Sequence, residues 1–125
     1  MERLKDKVCI ITGANSGFGE EMTKLFAKEG GIIIAADMNP NIMEKYKDSG
    51  YEITPVICDV TDEDQAKEMV NIAREKYGRL DVLCNNAGVN NKTPYRVHEY
   101  PVEEWDMLYN VLVRGAFLVM KESIK

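Results

Sequence analysis

The apolar run Val8-Cys9-Ile10-Ile11 passes directly into Thr12-Gly13-Ala14-Asn15-Ser16-Gly17-Phe18-Gly19, and this junction restricts the chain more than any other stretch. Residues 7–12 show no polar alternation, so they predict a strand without a solvated face, as in a parallel sheet covered on both sides. A strand that ends in glycines and opens into a helix leaves backbone N–H groups unpaired and side chains absent. That combination suits a pyrophosphate resting on a helix N-terminus. Gly13 can turn the chain sharply, Gly17 removes a Cβ where phosphate oxygens would lie, and Gly19 lets the helix pack close to the sheet. The spacing is G-x3-G-x-G, and by itself it is also compatible with a plain strand-to-helix turn.

The rest of the chain repeats the strand-helix rhythm. Residues 18–28 read as a helix with Phe18, Met22, Leu25 and Phe26 near one face and Glu20, Glu21, Lys24 and Lys28 largely opposite, stopped by Gly30-Gly31. Residues 32–36 are a second strand ending on Asp37, 18 positions after Gly19. An acid there can accept hydrogen bonds from an adenosine ribose and repel a 2′-phosphate, or it can cap the next turn. Neither Ser16 nor Met38 supplies a cation for a 2′-phosphate, so with the glycine turn in place NAD is expected rather than NADP. A short helix follows over 42–47, then a strand over 53–58 with Pro55 near its start, where an edge strand tolerates it.

Thr61-Asp62-Glu63-Asp64 reads as a hydroxyl cap with acids in the first helical turn, not as a metal site. The helix over 62–77 places Ala66, Met69, Val70, Ala73 and Tyr77 on one core stripe, and 80–85 is a fourth strand. The pattern β-α-β-α-β-α-β implies an α/β fold: a Rossmann-type parallel sheet with helices on both faces. If the strand order is 3-2-1-4, Asn85-Asn86-Ala87-Gly88 stands at the switch-point crevice where ligands bind. The loop over 89–101 is polar and carries Asn90, Asn91, Lys92, Thr93, Pro94 and the single histidine, His98, expected to be solvated. Residues 102–125 predict one long helix opened by Glu103-Glu104. Trp105, Leu108, Leu112, Phe117 and Leu118 lie around much of its circumference, which points to more chain or another subunit against it.

Composition narrows the partners. The 125 residues are 45% hydrophobic and 30% charged with a net charge of -5, which suits one domain and disfavours nucleic acid or an anionic membrane surface. The opening residues lack the long apolar segment of a signal peptide and no stretch is long enough to span a bilayer, so a cytoplasmic setting is expected. Cys9, Cys58 and Cys84 have no metal-ligand spacing and read as buried, reduced thiols.

Taken together, Thr12-Gly13-x3-Gly17-x-Gly19, Asp37, Asp59-Val60 and Asn85-Asn86-Ala87-Gly88 resemble the short-chain dehydrogenase/reductase family over nearly the whole chain. The resemblance implies a cofactor site built from Gly13, Asn15, Ser16, Gly17, Phe18, Gly19, Asp37, Met38, Asp59, Val60, Asn86, Ala87 and Gly88. Gly13, Gly17 and Gly19 would line the pyrophosphate, Phe18 would offer its backbone N–H, and Asp37 would hold the adenosine ribose. Asp59 with Val60 would lie at the adenine, and 85–88 would pass the nicotinamide-side ribose, Asn86 also bracing the sheet. It further implies hydride transfer between a nicotinamide and a small alcohol or carbonyl substrate.

That chemistry in the family uses Tyr-x3-Lys, and none of the six tyrosines here has a lysine four positions on. The family's helix asparagine, three residues before the glycine matching Gly115, is Leu112 here. Asn110 is two residues away and, on an α-helix, on another face. The expectation is therefore the cofactor-binding half of a full family member, 1–125 forming one truncated dinucleotide-binding domain, inactive alone. The strand over 80–85, without proline or lysine as an edge guard, also asks for a neighbour. A homo-oligomer, or completion by another chain through 102–125, is expected. The alternatives are a noncatalytic NAD-binding or partner subunit and, less well supported, an S-adenosylmethionine methyltransferase, against which Asn85-Asn86-Ala87-Gly88 speaks.

Overall fold

The computed structural model describes residues 2–89 and 94–125. Four parallel strands, β1 (Val8–Thr12), β2 (Ile32–Asp37), β3 (Ile53–Ile57) and β4 (Val82–Cys84), lie in the order β3-β2-β1-β4. β1 is central and buried along its length, which accounts for its unbroken apolar sequence. Its alternate residues serve two cores. Val8 and Ile10 face α3 (Glu63–Tyr77) and α5 (Ala116–Ser123), through Met69, Val70, Ala73, Leu118 and Val119. Cys9 and Ile11 face the opposite cluster, with Ala27 of α1 (Gly17–Lys28) and Ile42 of α2 (Ile42–Lys45). Pro55 sits in β3, an edge strand, opposite Ala35.

α1 corrects one expected face. Phe18 is 84% exposed and Leu25 49%, while the buried positions are Gly19, Thr23 and Ala27. The helix docks on its smallest residues, four apart, because a close approach to the sheet leaves no room for large ones. Met22 and Phe26 flank this stripe, partly buried. Thr23, fully buried, satisfies its hydroxyl by donating to Gly19 O at 2.8 Å.

α3 is capped by Asp62, not by the Thr61 hydroxyl: Asp62 Oδ1 accepts from the N–H groups of Asp64 (3.0 Å) and Gln65 (3.2 Å). Thr61 Oγ1 instead donates to Asp59 Oδ1 at 2.6 Å. The core stripe is Ala66, Met69, Val70 and Ala73, with Tyr77 partly buried. Gly78 closes the helix in the left-handed conformation, φ 73°.

β4 is shorter than its apolar run because Asp81 acts as a clip before it. Its Oδ2 accepts from Val8 N at 2.9 Å, its own N–H donates to Val8 O at 2.9 Å, and Arg79 pairs with it at 2.6 Å. The Arg79 guanidinium, then the Val8 amide, hold the Asp81 carboxyl below its ordinary pKa. A depressed carboxylate stabilises the fold above its unfolded pKa and loses that contribution as pH falls through the folded one. The gap in urea midpoint between the unsubstituted chain and Asp81→Asn should therefore be clear at pH 7 and close below about pH 4. A gap constant across that range would remove Asp81 from the acid response.

The thiols divide. Cys9 and Cys58 are buried, and burial pushes each pKa up to about 11. Cys84 is only half-buried, correcting the expectation for all three, because β4 lies at an edge of the described sheet. Burial raises its pKa as well. Alkylation at pH 8, followed by mass spectrometry, should modify Cys84 first and leave Cys9 and Cys58 protected until the chain unfolds.

The single long helix expected over 102–125 runs without a break over 102–123, α-helical at both ends as α4 (Val102–Tyr109) and α5, with a wide π-type turn (Asn110–Gly115) between them whose junction residues keep helical angles. α4 starts after Pro101 without a side-chain cap bond. The wide turn forms where the chain crosses the carboxyl ends of the strands. A Cβ on Gly115 would lie 2.7 Å from Val60 Cγ2, so the backbone closely meets the segment that follows β3. Arg114 donates to Thr61 O at 2.8 Å and Asn85 Nδ2 to Ala116 O at 2.8 Å, fastening the carboxyl end of the turn to the segments after β3 and β4.

Candidate functional site

The carboxyl ends of β1, β2 and β4 converge on a crevice of about 130 Å³ lined by Thr12, Gly13, Asp37, Met38, Asp59, Val60, Ala87 and Gly88, among others. It lies by β1 and its neighbour β4, whose following helices pack on opposite faces of the sheet, the switch point of an open α/β fold. Gly13 at φ +69° and Gly17 at φ +57° both adopt the left-handed region that glycine tolerates. A Cβ at Gly17 would meet nothing within 4 Å, so its glycine leaves open space above the turn. Gly19 differs: a Cβ there would lie 2.0 Å from Gly13 O. Ser16 occupies the cap position of α1 without a side-chain cap bond, and the first N–H groups of a helix have no acceptor of their own turn.

Asp37 faces this turn from the end of β2. Its Oδ2 accepts from Asn15 N at 3.0 Å and its Oδ1 from Asn39 N at 2.9 Å. A carboxylate has about four lone-pair sites, so two remain for a ligand's hydroxyls. Asp37 thus does cap the next turn, as one of its two readings expected: one oxygen organises the following turn, the other the glycine turn.

Thr12, quoted in the motif without a role, joins β1 to β4. Its hydroxyl donates to Cys84 O at 3.4 Å and accepts from Asn86 N at 3.0 Å and Ala87 N at 2.9 Å. Asn86 Nδ2 returns a bond to Thr12 O at 3.1 Å. A hydroxyl beside a glycine at a strand end was the available signal for this lock. Phe18 projects from the start of α1 into solvent, and Met38 is 61% exposed at the crevice rim. Asp59 lines the crevice while its Oδ1 also accepts from Thr61 N at 2.9 Å.

The wide turn contributes Val111 to the crevice, not Asn110. Leu112 packs on Gly88 at the crevice edge, where an added Cβ would lie 3.0 Å from Leu112 Cδ2. It belongs to a larger apolar groove of about 680 Å³ with Tyr95, Tyr100, Trp105 and Tyr109. His98 is exposed beside Glu99. Asn90, Asn91, Lys92 and Thr93 lie outside the described residues. Among the described residues no cluster of His, Cys, Asp or Glu could hold a metal, and no helix is long and apolar enough to cross a membrane.

A family model for short chain dehydrogenase matches residues 7–125. The chain belongs to the short-chain dehydrogenase family. It is 42% identical over 122 residues to the 3-oxoacyl-[acyl-carrier-protein] reductase FabG of Thermotoga maritima, covering 94% of this chain and 48% of the relative. To (+)-borneol dehydrogenase 2 of Salvia officinalis it is 32% identical over 126 residues, covering 98% and 44%. Among solved structures, a putative short-chain dehydrogenase/reductase from Burkholderia xenovorans superposes with a TM-score of 0.90 at 31% identity, covering 99% of this chain and 52% of that one. A 3-ketoacyl-(acyl-carrier-protein) reductase from Brucella melitensis, complexed with NADH, gives 0.88 at 35% identity, covering 94% and 48%. The chain therefore spans about half the length of the short-chain dehydrogenases it matches. Its four-stranded order is the Rossmann arrangement of these structures.

Proposed function

We propose that residues 1–125 are the NAD-binding half of an oxidoreductase that transfers hydride between a nicotinamide and a small alcohol or carbonyl compound. The observation that carries this reading is the pairing of an uncapped α1 start, open above Gly17, with the Asp37 carboxylate facing the same turn. These residues fit the cofactor. The N–H groups at the start of α1 would hold the diphosphate, with Gly13, Ser16, Gly17, Phe18 and Gly19 around it. Asp37, with Met38 and Asn15 beside it, would accept from the adenosine ribose and disfavour a 2′-phosphate, so NAD is preferred to NADP. Asp59 and Val60 would border the adenine, and Asn86, Ala87 and Gly88 the nicotinamide-side ribose. Bound there, the nicotinamide supplies or takes up hydride. The chain's own part is to bind and orient it, because it has no Tyr-x3-Lys pair.

A noncatalytic NAD-binding subunit is the second reading. Leu112 favours it, placing an apolar side chain against Gly88 where the family's asparagine would stand. In either case the exposed apolar side chains of 102–125, Trp105, Tyr109 and Phe117 among them, would meet the rest of the enzyme or another copy.

Calorimetry on the 125-residue chain should show binding of NAD, weaker binding of NADP, and no growth of NADH absorbance with a panel of secondary alcohols. A folded sample giving no heat with NAD would overturn the cofactor reading, and turnover would overturn the missing catalyst. Activity that appears only on mixing with a chain carrying Ser and Tyr-x3-Lys would decide for a split enzyme over a noncatalytic subunit.

A further inference from the structure

The glycine turn is held from behind by a segment that the cofactor reading leaves unused. Ala14 is fully buried. Its N–H donates to Ala36 O at 3.0 Å, and its carbonyl accepts a short hydrogen bond from the Tyr46 hydroxyl. One residue on, Asn15 Oδ1 accepts from Asn41 Nδ2 at 3.2 Å. Lys45 reaches Glu20 of α1 at 3.1 Å. Thus the one-turn helix α2 and its flanks touch the turn and the helix after it, from the side away from the crevice.

Four residues of helix have no stability of their own. α2 holds its place through Ile42, fully buried, and through Tyr46, 8% exposed in the same cluster. Burial pushes the Tyr46 phenol above its ordinary pKa, more than the Thr23 hydroxyl beside it lowers it, so it remains a donor in neutral solution. The turn it serves contains two left-handed glycines, Gly13 and Gly17, whose backbone is permissive for want of a Cβ. Fixing such a turn before the ligand arrives reduces the ordering that binding must impose.

We propose that the segment from Asn41 to Tyr46 is a brace for the phosphate turn, with Tyr46 as its principal positioning residue through Ala14 and Asn41 as a lesser one through Asn15. The proposal rests on the cofactor reading and extends it to residues that touch no ligand. It requires that losing the brace weakens ligands carrying a diphosphate more than those without one. General loss of stability would not discriminate between them.

The test is calorimetric titration of the unsubstituted chain, Tyr46→Phe, Asn41→Ala and Val70→Ala with ADP and with adenosine, each alongside its melting curve. Tyr46→Phe keeps the ring and removes one donor, so it should weaken ADP about fivefold and adenosine less than about twofold. Val70→Ala, in the opposite core, should lower the melting temperature and leave the ratio of the two affinities unchanged. Equal weakening of ADP and adenosine by Tyr46→Phe, or none, would overturn the brace. Should Tyr46→Phe fail to fold, the exposed Asn41→Ala decides, with an expected ADP loss of about twofold and adenosine retained. No selective loss there overturns the proposal. Failure of the unsubstituted chain to bind ADP would instead overturn the cofactor reading, and the brace with it.

Discussion

Gly19→Ala should lower the stability of the fold sharply, because the added methyl has no place to go. Its Cβ would lie 2.0 Å from Gly13 O, 2.6 Å from Gly13 C and 2.8 Å from Asn86 Nδ2. Two of these atoms are backbone of the turn itself, so a rotamer change cannot relieve the contact. Relief requires α1 to withdraw from β1, which opens the stripe of Gly19, Thr23 and Ala27 and the Ala14 anchor beside it. Overpacking of this kind costs roughly 3 kcal/mol or more, against a total stability of about 5–15 kcal/mol for a domain. The melting temperature should fall by about 10 °C or more, and NAD binding should be lost with it. Gly17→Ala is the contrasting case. Space is open there, and the penalty comes from φ +57°, about 1–2 kcal/mol. If Gly19→Ala melted no earlier than Gly17→Ala, the close approach of helix and turn would be wrong.

Asp37→Asn should change which nicotinamide cofactor binds. The carboxylate accepts from two backbone amides and keeps two lone-pair sites toward the crevice. An amide has one acceptor oxygen. Because the two N–H groups bond different oxygens, either orientation of the amide sets an NH2 against one of them. Hydrogen bonds to a charged group contribute about 1.5–3 kcal/mol each, so the affinity for NAD should drop roughly 10- to 100-fold. NADP should lose less, since the charge that repels its 2′-phosphate has gone, and the preference between the two should narrow or invert. Parallel titrations with NAD and NADP measure it. An unchanged ratio would deprive Asp37 of its role in selection while leaving its part in the turn intact.

The strand-helix alternation was readable because each element carries its own period or its own stop. β1 and β2 have no polar face, α3 repeats Ala66, Met69, Val70 and Ala73 at helical steps, and Gly78 ends it. Readings that failed depended on neighbours. Hydrophobicity puts Phe18, Met22, Leu25 and Phe26 on one face of α1, but distance to the sheet buries Gly19, Thr23 and Ala27, covers Met22 and Phe26 in part and leaves Phe18 and Leu25 exposed. Thr61 and Asp62 are both good caps, and the choice between them turned on Asp59, which engages the Thr61 hydroxyl. The wide turn at Asn110–Gly115 leaves no mark in composition, because it answers to Val60 and Gly88 across the crevice.

From the order of residues alone follow the parallel α/β fold, the glycine turn behind the first strand and the acid at the end of the second. All of these are local patterns with steric or electrostatic causes inside a few residues. Tertiary structure alone decided that Asp37 divides its oxygens between two loops, that Thr12 locks β1 to β4, and that a tyrosine 32 residues away holds Ala14. Those depend on which strand ends meet. A hydrogen bond between distant residues has no signature in either one until the chain brings them together.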